Sequence, residues 1–376
     1  MHQYRKAALA MGTLLLAPQL AGAQTAPVPG NGVVIYGSVD AGLSNYNDER
    51  GAHATQVDTG NRSPDRIGFR GSEDLGNGMR AIFQLENGFN LDDGTMKRAN
   101  VLFSRYAFVG LASKAGTLSF GHMPDFLYEY MRYTSNGFMG SSYFFHPGNL
   151  DNQANQFQLD NAIKYETPTF AGFTFGAMNG FGEQAGDSNR LRSYSLGARY
   201  LQGNLRAAAA YTVANNRSLN LGGTLGLNSF LGQTLSRNAA APDATYTNFA
   251  ADKQTSAGLT ASYKAGWITP HAMATQIKLE ARGLSATQRN LEGGADFAIG
   301  ASNTLGLSLA SSRLQQVRWN QLNVIDMIKL SPRTTLYGVA AFQRASGDGA
   351  HAVINGAAPA SGQSQRVLRV GVHHLF

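Results

Sequence analysis

Apolar and polar residues alternate along this chain with a period of two almost throughout, the pattern of strands with two unlike faces. In GVVIYGSVDAGLS, Val33, Ile35, Val39, Ala41 and Leu43 share one face, while Val34, Tyr36, Ser38 and Asp40 share the other. In PDRIGFRGSEDLGNGMRAIFQLENGF, Ile67 and Phe69 oppose Arg66 and Arg70. Past a turn, Ala81, Phe83 and Leu85 oppose Arg80, Gln84 and Glu86. Sixteen such runs can be marked: 32–44, 64–74, 78–90, 100–112, 115–123, 160–168, 171–181, 191–201, 204–214, 254–264, 266–281, 286–299, 302–313, 318–330, 333–345 and 363–376. Most are about 10 residues long, the length with which a tilted strand crosses a bilayer. Helical stripes are scarce, the weak exception lying between Pro124 and Met139.

The connections show a second regularity. Asp74–Gly78, Ser113–Gly116, Gln202–Asn204, Lys264–Gly266 and Leu330–Arg333 are short, with Gly, Asn or Pro to supply turn geometry. The links between them are mostly longer: 45–63, 91–99, 124–159, 182–190, 215–253 and 346–362. Short and long connections alternate in transmembrane β-barrels. Closure into a ring also removes sheet edges, whose unpaired backbone groups are costly in hydrocarbon. The expected fold is therefore all-β, a 16-stranded antiparallel transmembrane β-barrel in which RVLRVGVHHLF pairs with GVVIYGSVDAGL. Its faces are inverted relative to a soluble sheet, with the apolar face on lipid and the polar face on water.

MHQYRKAALAMGTLLLAPQLAGAQT has a basic start, a short apolar run and an A-x-A site at Ala21–Ala23. Residues 1–23 are expected to be a cleaved signal peptide and 24–376 the barrel. Losing Arg5 and Lys6 with the leader takes the basic residues from 31 to 29 against 24 acidic ones, a net charge of +5. That charge is mild and dispersed, which argues against a nucleic-acid partner. The chain has no cysteine, so disulfides and thiolate chemistry are excluded. Seven histidines follow the leader (His53, His122, His146, His271, His351, His373 and His374), none in a G-x-S-x-G or H-E-x-x-H frame. No enzyme activity, cofactor or metal is expected.

RGSEDLGNGMRAIFQLENGF resembles the second and third strands of Gram-negative general porins of the β-proteobacterial type. GVVIYGSVDAGL resembles that family's first strand, FSRYAFVGLASKAGTLSFGH its fourth and fifth, and NAIKYETPTFAGFTFGAMNGFGE its sixth and seventh. SPRTTLYG resembles the hairpin before the last strands, and Phe376 fits the family ending. His373-His374-Leu375-Phe376 is less basic than that ending usually is, and the resemblance is weak over 215–253 and the final loop. The resemblance implies a homotrimer in outer-membrane lipid that passes ions and small hydrophilic solutes by diffusion. It also implies a long third loop folded into the lumen, here HMPDFLYEYMRYTSNGFMGSSYFFHPGNLDNQANQFQLD at about 122–160. Long loops of this kind are usually functional.

The family's basic ladder maps onto Arg66 and Arg105. Arg70 and Arg80 share lumen parity on their strands. A further ladder arginine has no counterpart in QFQLDNAIKY, where Lys164 is the nearest cation. The acidic residues of the loop are Asp125 and Glu129 at its start, with none between Tyr130 and Asn149. Arg66 and Arg105 are thus expected to face few carboxylates and to give weak to moderate anion preference. Phe83, Phe89, Tyr106, Phe108, Phe120, Phe173, Phe175, Tyr211, Trp267, Tyr337 and Phe376 are candidates for aromatic girdles. A substrate-specific channel and an outer-membrane barrel hydrolase remain the alternative readings.

Overall fold

The computed structural model describes residues 31–183, 185–186, 189–237 and 246–376. The leader expected at 1–23 lies outside them, as does 238–245 of the 215–253 connection. β1 (Gly32–Glu49) turns at Arg50-Gly51 into β2 (Ala52–Thr59), and six residues later the same course resumes as β3 (Arg66–Gly76). β4 (Met79–Gly88), β5 (Tyr106–Ser113), β6 (Gly116–Pro124), β7 (Gln158–Glu166), β8 (Phe173–Gly180), β9 (Ser193–Gln202) and β10 (Leu205–Leu219) follow. β11 (Ser229–Phe230) and β12 (Gln233–Thr234) form a separate small ladder. β13 (Phe249–Tyr263), β14 (Ile268–Ala281), β15 (Leu284–Ile299), β16 (Asn303–Leu314), β17 (Val317–Lys329), β18 (Thr334–Ser346) and β19 (Ser364–Leu375) complete the chain.

Neighbouring courses pair antiparallel. β1 pairs with β19 on one side and with β2 and β3 on the other, so sixteen courses close into a ring. Ser38 faces Leu375 in that seam, and the Gly37 N–H donates to the terminal Phe376 carbonyl at 2.9 Å. Each of the sixteen runs expected from alternation contains a strand, the 100–112 run only from Tyr106 onward. The expected inversion holds: Val33, Leu309 and Val370 are 60–64% exposed on the outside, whereas Ser38, Glu86 and Asn323 are fully covered on the inside.

Three features differ from the sequence reading. At the end bearing the long loops, β1–β2, β14–β15 and β16–β17 are joined by two-residue turns, so short and long connections do not strictly alternate. Arg50-Gly51 and Arg282-Gly283 have positive φ at both positions, the geometry that lets two residues reverse a twisted pair. Tyr106, Phe108 and Tyr337 point into the lumen rather than into a girdle. β5 begins at Tyr106, so its alternation does not extend back to Arg105, and Tyr337 turns its hydroxyl to Asp40 at 2.9 Å. The 215–253 connection is also not a connection throughout, since β10 and β13 extend into it, and Leu221, Leu225, Phe230 and Leu235 among its described residues are buried.

The connection between β6 and β7 enters the barrel. It carries α1 (Phe126–Met131) and α2 (Asn136–Met139), where the weak helical periodicity lay. Phe126, Leu127, Tyr130 and Met131 pack on Met178, Ala208, Ala210 and Met273 of the inner wall. Gly176 and Gly197 form the seat: a Cβ on either would lie 2.2 or 2.6 Å from Phe126 atoms. Nearer the mouth, Leu221, Leu225, Phe230, Leu235, Val353 and Ala360 from two other connections bury against inward Ile277, Leu279, Leu314 and Trp319.

Because Leu309 lies on the lipid face, Leu309→Arg is expected to destabilise the barrel by about 2–4 kcal/mol in bilayers if the site is near the midplane. Urea titration of vesicle-reconstituted protein measures this, and a neutral result would contradict the inverted faces.

Candidate functional site

The site is built on the break between β2 and β3. Gly60–Asp65 leaves the ladder opposite Val39 and Asp40, and two carboxylates bridge the gap between it and β1. Asp40 Oδ1 accepts from Asn61 N at 2.9 Å, and Asp65 Oδ1 accepts from Asp40 N at 2.6 Å. Pro64, which has no N–H to give a ladder, fits such an interruption. The released segment docks the far end of the inward loop. Asn61 O accepts from Ser142 N at 2.7 Å, and Arg62 Nη1 donates to Phe138 O at 3.1 Å. Tyr143 OH reaches Ser44 at 2.9 Å and Tyr46 at 2.6 Å, and it donates to Asp58 at 2.8 Å. Behind this point Arg369 pairs with Asp40 at 3.1 Å and with Asp58, tying β19 to β1 and β2.

Beside the break stands a basic series. Arg66 Nε lies 3.8 Å from Glu86 Oε2, and Arg105 Nε donates to Glu86 Oε1 at 2.5 Å. Tyr36 OH donates to the same carboxylate at 2.7 Å. Arg105 Nη2 reaches Tyr128 OH at 3.2 Å, and Arg132 lies 4.3 Å from the Tyr128 ring centroid. Arg132 also stacks at 4.6 Å on Tyr133 and donates to Tyr106 OH at 3.4 Å. The series thus runs from the wall onto the loop as Arg66, Glu86, Arg105, Tyr128 and Arg132. All three arginines are buried at 5–7% exposure, set into aromatic and carboxylate partners rather than hanging in water. Glu86, from the wall and not from the loop, sits between Arg66 and Arg105. Arg132 continues the series over Tyr128 and Tyr133, with Glu129 within electrostatic range of it.

The other expected residues lie apart from this series. Arg70, four residues toward the short-turn end, rests 5.1 Å from the Tyr36 ring centroid. Arg80 is exposed beside the short Asn77-Gly78 turn. Lys164 is clamped by Glu129 at 2.8 Å and Glu166 at 3.3 Å, a group with net negative charge. Glu129 is therefore committed to Lys164. Asp125 caps α1, accepting from Tyr128 N at 3.0 Å and from Asn152 Nδ2 at 2.9 Å. Burial pushes its carboxyl up to about 6 against those bonds.

Sequence reasoning missed Arg132 and the loop's second anchor. Arg132 was legible, since Tyr128 and Arg132 stand four residues apart where the chain turns helical, and that spacing places a cation over a ring. The second anchor is His146, whose Nδ1 lies 2.6 Å from Asp151 and whose Nε2 lies 3.2 Å from Glu292 on β15. Burial opposes its charge, but Asp151 and Glu292 outweigh this and raise the imidazole to about 10, while Asp151 is held below the usual carboxylate range. Thr275 Oγ1 donates to Asp151 at 2.8 Å, so the loop is held to β14 and β15 by an imidazolium between two carboxylates.

The chain was compared with known proteins. The sequence profile of the Gram-negative porin family matches residues 7–348. An outer membrane porin of Bordetella pertussis is 33% identical over 54% of this chain, an alignment covering 59% of that relative. Outer membrane porin protein 32 of Delftia acidovorans is 27% identical over 96% of this chain and 99% of its own length. The anion-selective porin from Comamonas acidovorans has the same fold, with a TM-score of 0.75 at 24% identity over 92% of this chain and all of that one. The closed ring, the inward loop and the extent of the profile match lead to one assignment: the chain belongs to the Gram-negative porin family.

Proposed function

We propose that this chain is a non-enzymatic outer-membrane channel for passive diffusion of ions and small hydrophilic solutes, with weak to moderate anion preference. The observation that carries the sign is the series of Arg66, Arg105 and Arg132, in which Arg66 and Arg105 share Glu86 and Arg132 stacks on Tyr128. Its net positive charge lies where the inward loop meets the wall, and charged groups at a constriction set pore selectivity. Because the guanidiniums are embedded, they act through their field more than by direct contact with a passing ion. Arg70 and Arg80 extend positive charge toward the short-turn end. Lys164, Glu129 and Glu166 form a counterweight that keeps the preference from being strong. The anion selectivity named for the Comamonas porin agrees with this sign. A homotrimer is proposed on the family's account, and unheated gel electrophoresis against a heated control tests it.

Reconstituted channels in a potassium chloride gradient are expected to give an anion-sided reversal potential. Arg105→Gln should move it toward cations and cost on the order of 3 kcal/mol, because Glu86 loses its nearer partner. Glu86→Gln should move it the other way. A cation-sided wild-type potential would sink the proposed preference.

The His146 anchor predicts a pH dependence. The folded imidazole titrates near 10, above its unfolded value of about 6.5. Its contribution is fully present below about 6.5 and is lost as pH rises through about 10. Asp151, with a depressed value, contributes above about 4 and loses that contribution only as pH falls further. Single-channel current should be quiet from pH 5 to 8 (~, by the same linkage) and should flicker as pH approaches about 10. In His146→Gln the flicker should be present throughout, and a pH-independent wild type would refute the anchor.

A further inference from the structure

The inward loop is enclosed by the ring, so any side chain it exposes meets the water of the lumen. Between Tyr130 and Asn149 the partly exposed side chains include Tyr133, Phe138, Met139 and Phe145. The polar Thr134, Ser135, Asn136 and Ser141 of the same stretch are buried. Thr134 Oγ1 and Ser135 Oγ donate to the carbonyls of Met131 and Arg132 at 3.0 and 2.9 Å. Asn136 donates through its backbone to Glu292 at 2.9 Å and through its amide to the Leu309 carbonyl at 3.2 Å. The small polar groups thus fix the loop, while three aromatic rings and a thioether are left facing the channel. No Asp or Glu stands among them. An apolar surface held in water is the mark of a contact site.

The rings are set around positive charge. Tyr133 and Phe138 stand edge to face, with centroids 5.1 Å apart and planes at 76°. Arg132 lies 4.6 Å from the Tyr133 centroid and 5.8 Å from that of Phe138, and it donates to Tyr133 OH at 2.6 Å. Arg62 Nη1 donates to the Phe138 carbonyl at 3.1 Å. Arg62 is partly exposed, and among the described residues no carboxylate lies within ion-pair distance of it. Asp296 and Asp40 are in electrostatic range, but Asp40 is paired with Arg369. A small inorganic anion gains from the guanidiniums and nothing from the rings. A solute that gains from both carries a flat apolar body and a carboxylate. We propose that this face of the loop is a binding subsite for planar aromatic carboxylates. The solute's ring packs on Phe138 and Tyr133, where edge-to-face contact adds to area burial, and its carboxylate meets the Arg62 fork. The inference rests on the channel reading above and names a solute class for it.

The test is open-channel block of the full-length protein in planar bilayers bathed in potassium chloride. Four probes are titrated: benzoate, acetate (charge without a ring), benzyl alcohol (ring without a charge) and cyclohexanecarboxylate (charge on a non-aromatic ring). Benzoate is expected to block at a concentration ~10-fold below acetate and benzyl alcohol, and ~3-fold below cyclohexanecarboxylate. Phe138→Leu keeps an apolar side chain and the carbonyl that Arg62 uses, and it should bring benzoate to the level of cyclohexanecarboxylate. Arg62→Gln should bring benzoate to the level of benzyl alcohol. Phe120→Leu, on the outer face of β6, should leave the order of the four probes intact. If neither loop-face variant folds, the order measured on the wild type decides. Equal block by benzoate and either acid would overturn the proposal, as would the wild-type order in folded Phe138→Leu. Block by benzyl alcohol at the benzoate concentration would make this a neutral aromatic site and overturn it too. The potassium chloride reversal potential is read in the same bilayers before any probe is added. A cation-sided value sinks the anion preference, whereas an anion-sided value without ring discrimination sinks this inference alone.

Discussion

In hydrocarbon a peptide group has no water to bond with, and each one left unpaired costs several kcal/mol. That penalty is what the β1–β19 seam relieves, and the other features of the barrel depend on it. A closed ring has no spare edge, so strand length, tilt and parity are set together. Apolar side chains must then face outward to lipid, which leaves the polar set of every strand to line the interior. The charge chemistry inside the barrel follows from this inversion.

The ring is interrupted in one course, and the interruption is where the interior is organised. Gly60–Asp65 gives up ladder bonds and exchanges carboxylates with β1 instead, Asn61 N donating to Asp40 and Asp40 N donating to Asp65. The freed backbone accepts the loop's Ser142, while Tyr143 enters the adjoining Ser44, Tyr46 and Asp58 group. The opposite flank of the loop is fastened by His146 to Glu292, and its first helix is seated over Gly176 and Gly197. Three separated fastenings fix a loop with little regular structure of its own. They also fix the position of Arg132 relative to Arg66 and Arg105.

The fold was legible because period-two alternation survives in nearly every strand, and because turn residues such as Asn77-Gly78 mark the ends. The inward sides of Arg66 and Glu86 follow the parity of β3 and β4, whereas Arg105 precedes β5 and no parity argument reaches it. Their pairing was not legible, because the contact between Glu86 and Arg105 depends on cross-strand register, which alternation does not encode. Lys164 looked like a free cation for the same reason, since its partner Glu129 comes from the loop. Tyr337 could not be distinguished from a girdle residue, because an aromatic on a strand suits either face until the ladder is known. Arg50-Gly51 and Arg282-Gly283 were overlooked as tight turns because neither is the usual Asn-Gly or Asp-Gly pair.

The apolar cluster at the mouth makes this protein a composite of two materials. Around Ile277, Leu279, Leu314 and Trp319 the inner wall turns apolar and is covered by Leu221, Leu225, Phe230 and Val353. The packing at the mouth lies against β13–β18. That cluster is held by the hydrophobic effect in water, as in a soluble domain, while the belt below is held by lipid and by ring closure. Chaotropes that solvate apolar groups weaken the first kind of cohesion directly and reach the second only through the bilayer. The rim can therefore loosen while the belt remains intact, so one melting temperature does not describe the whole molecule.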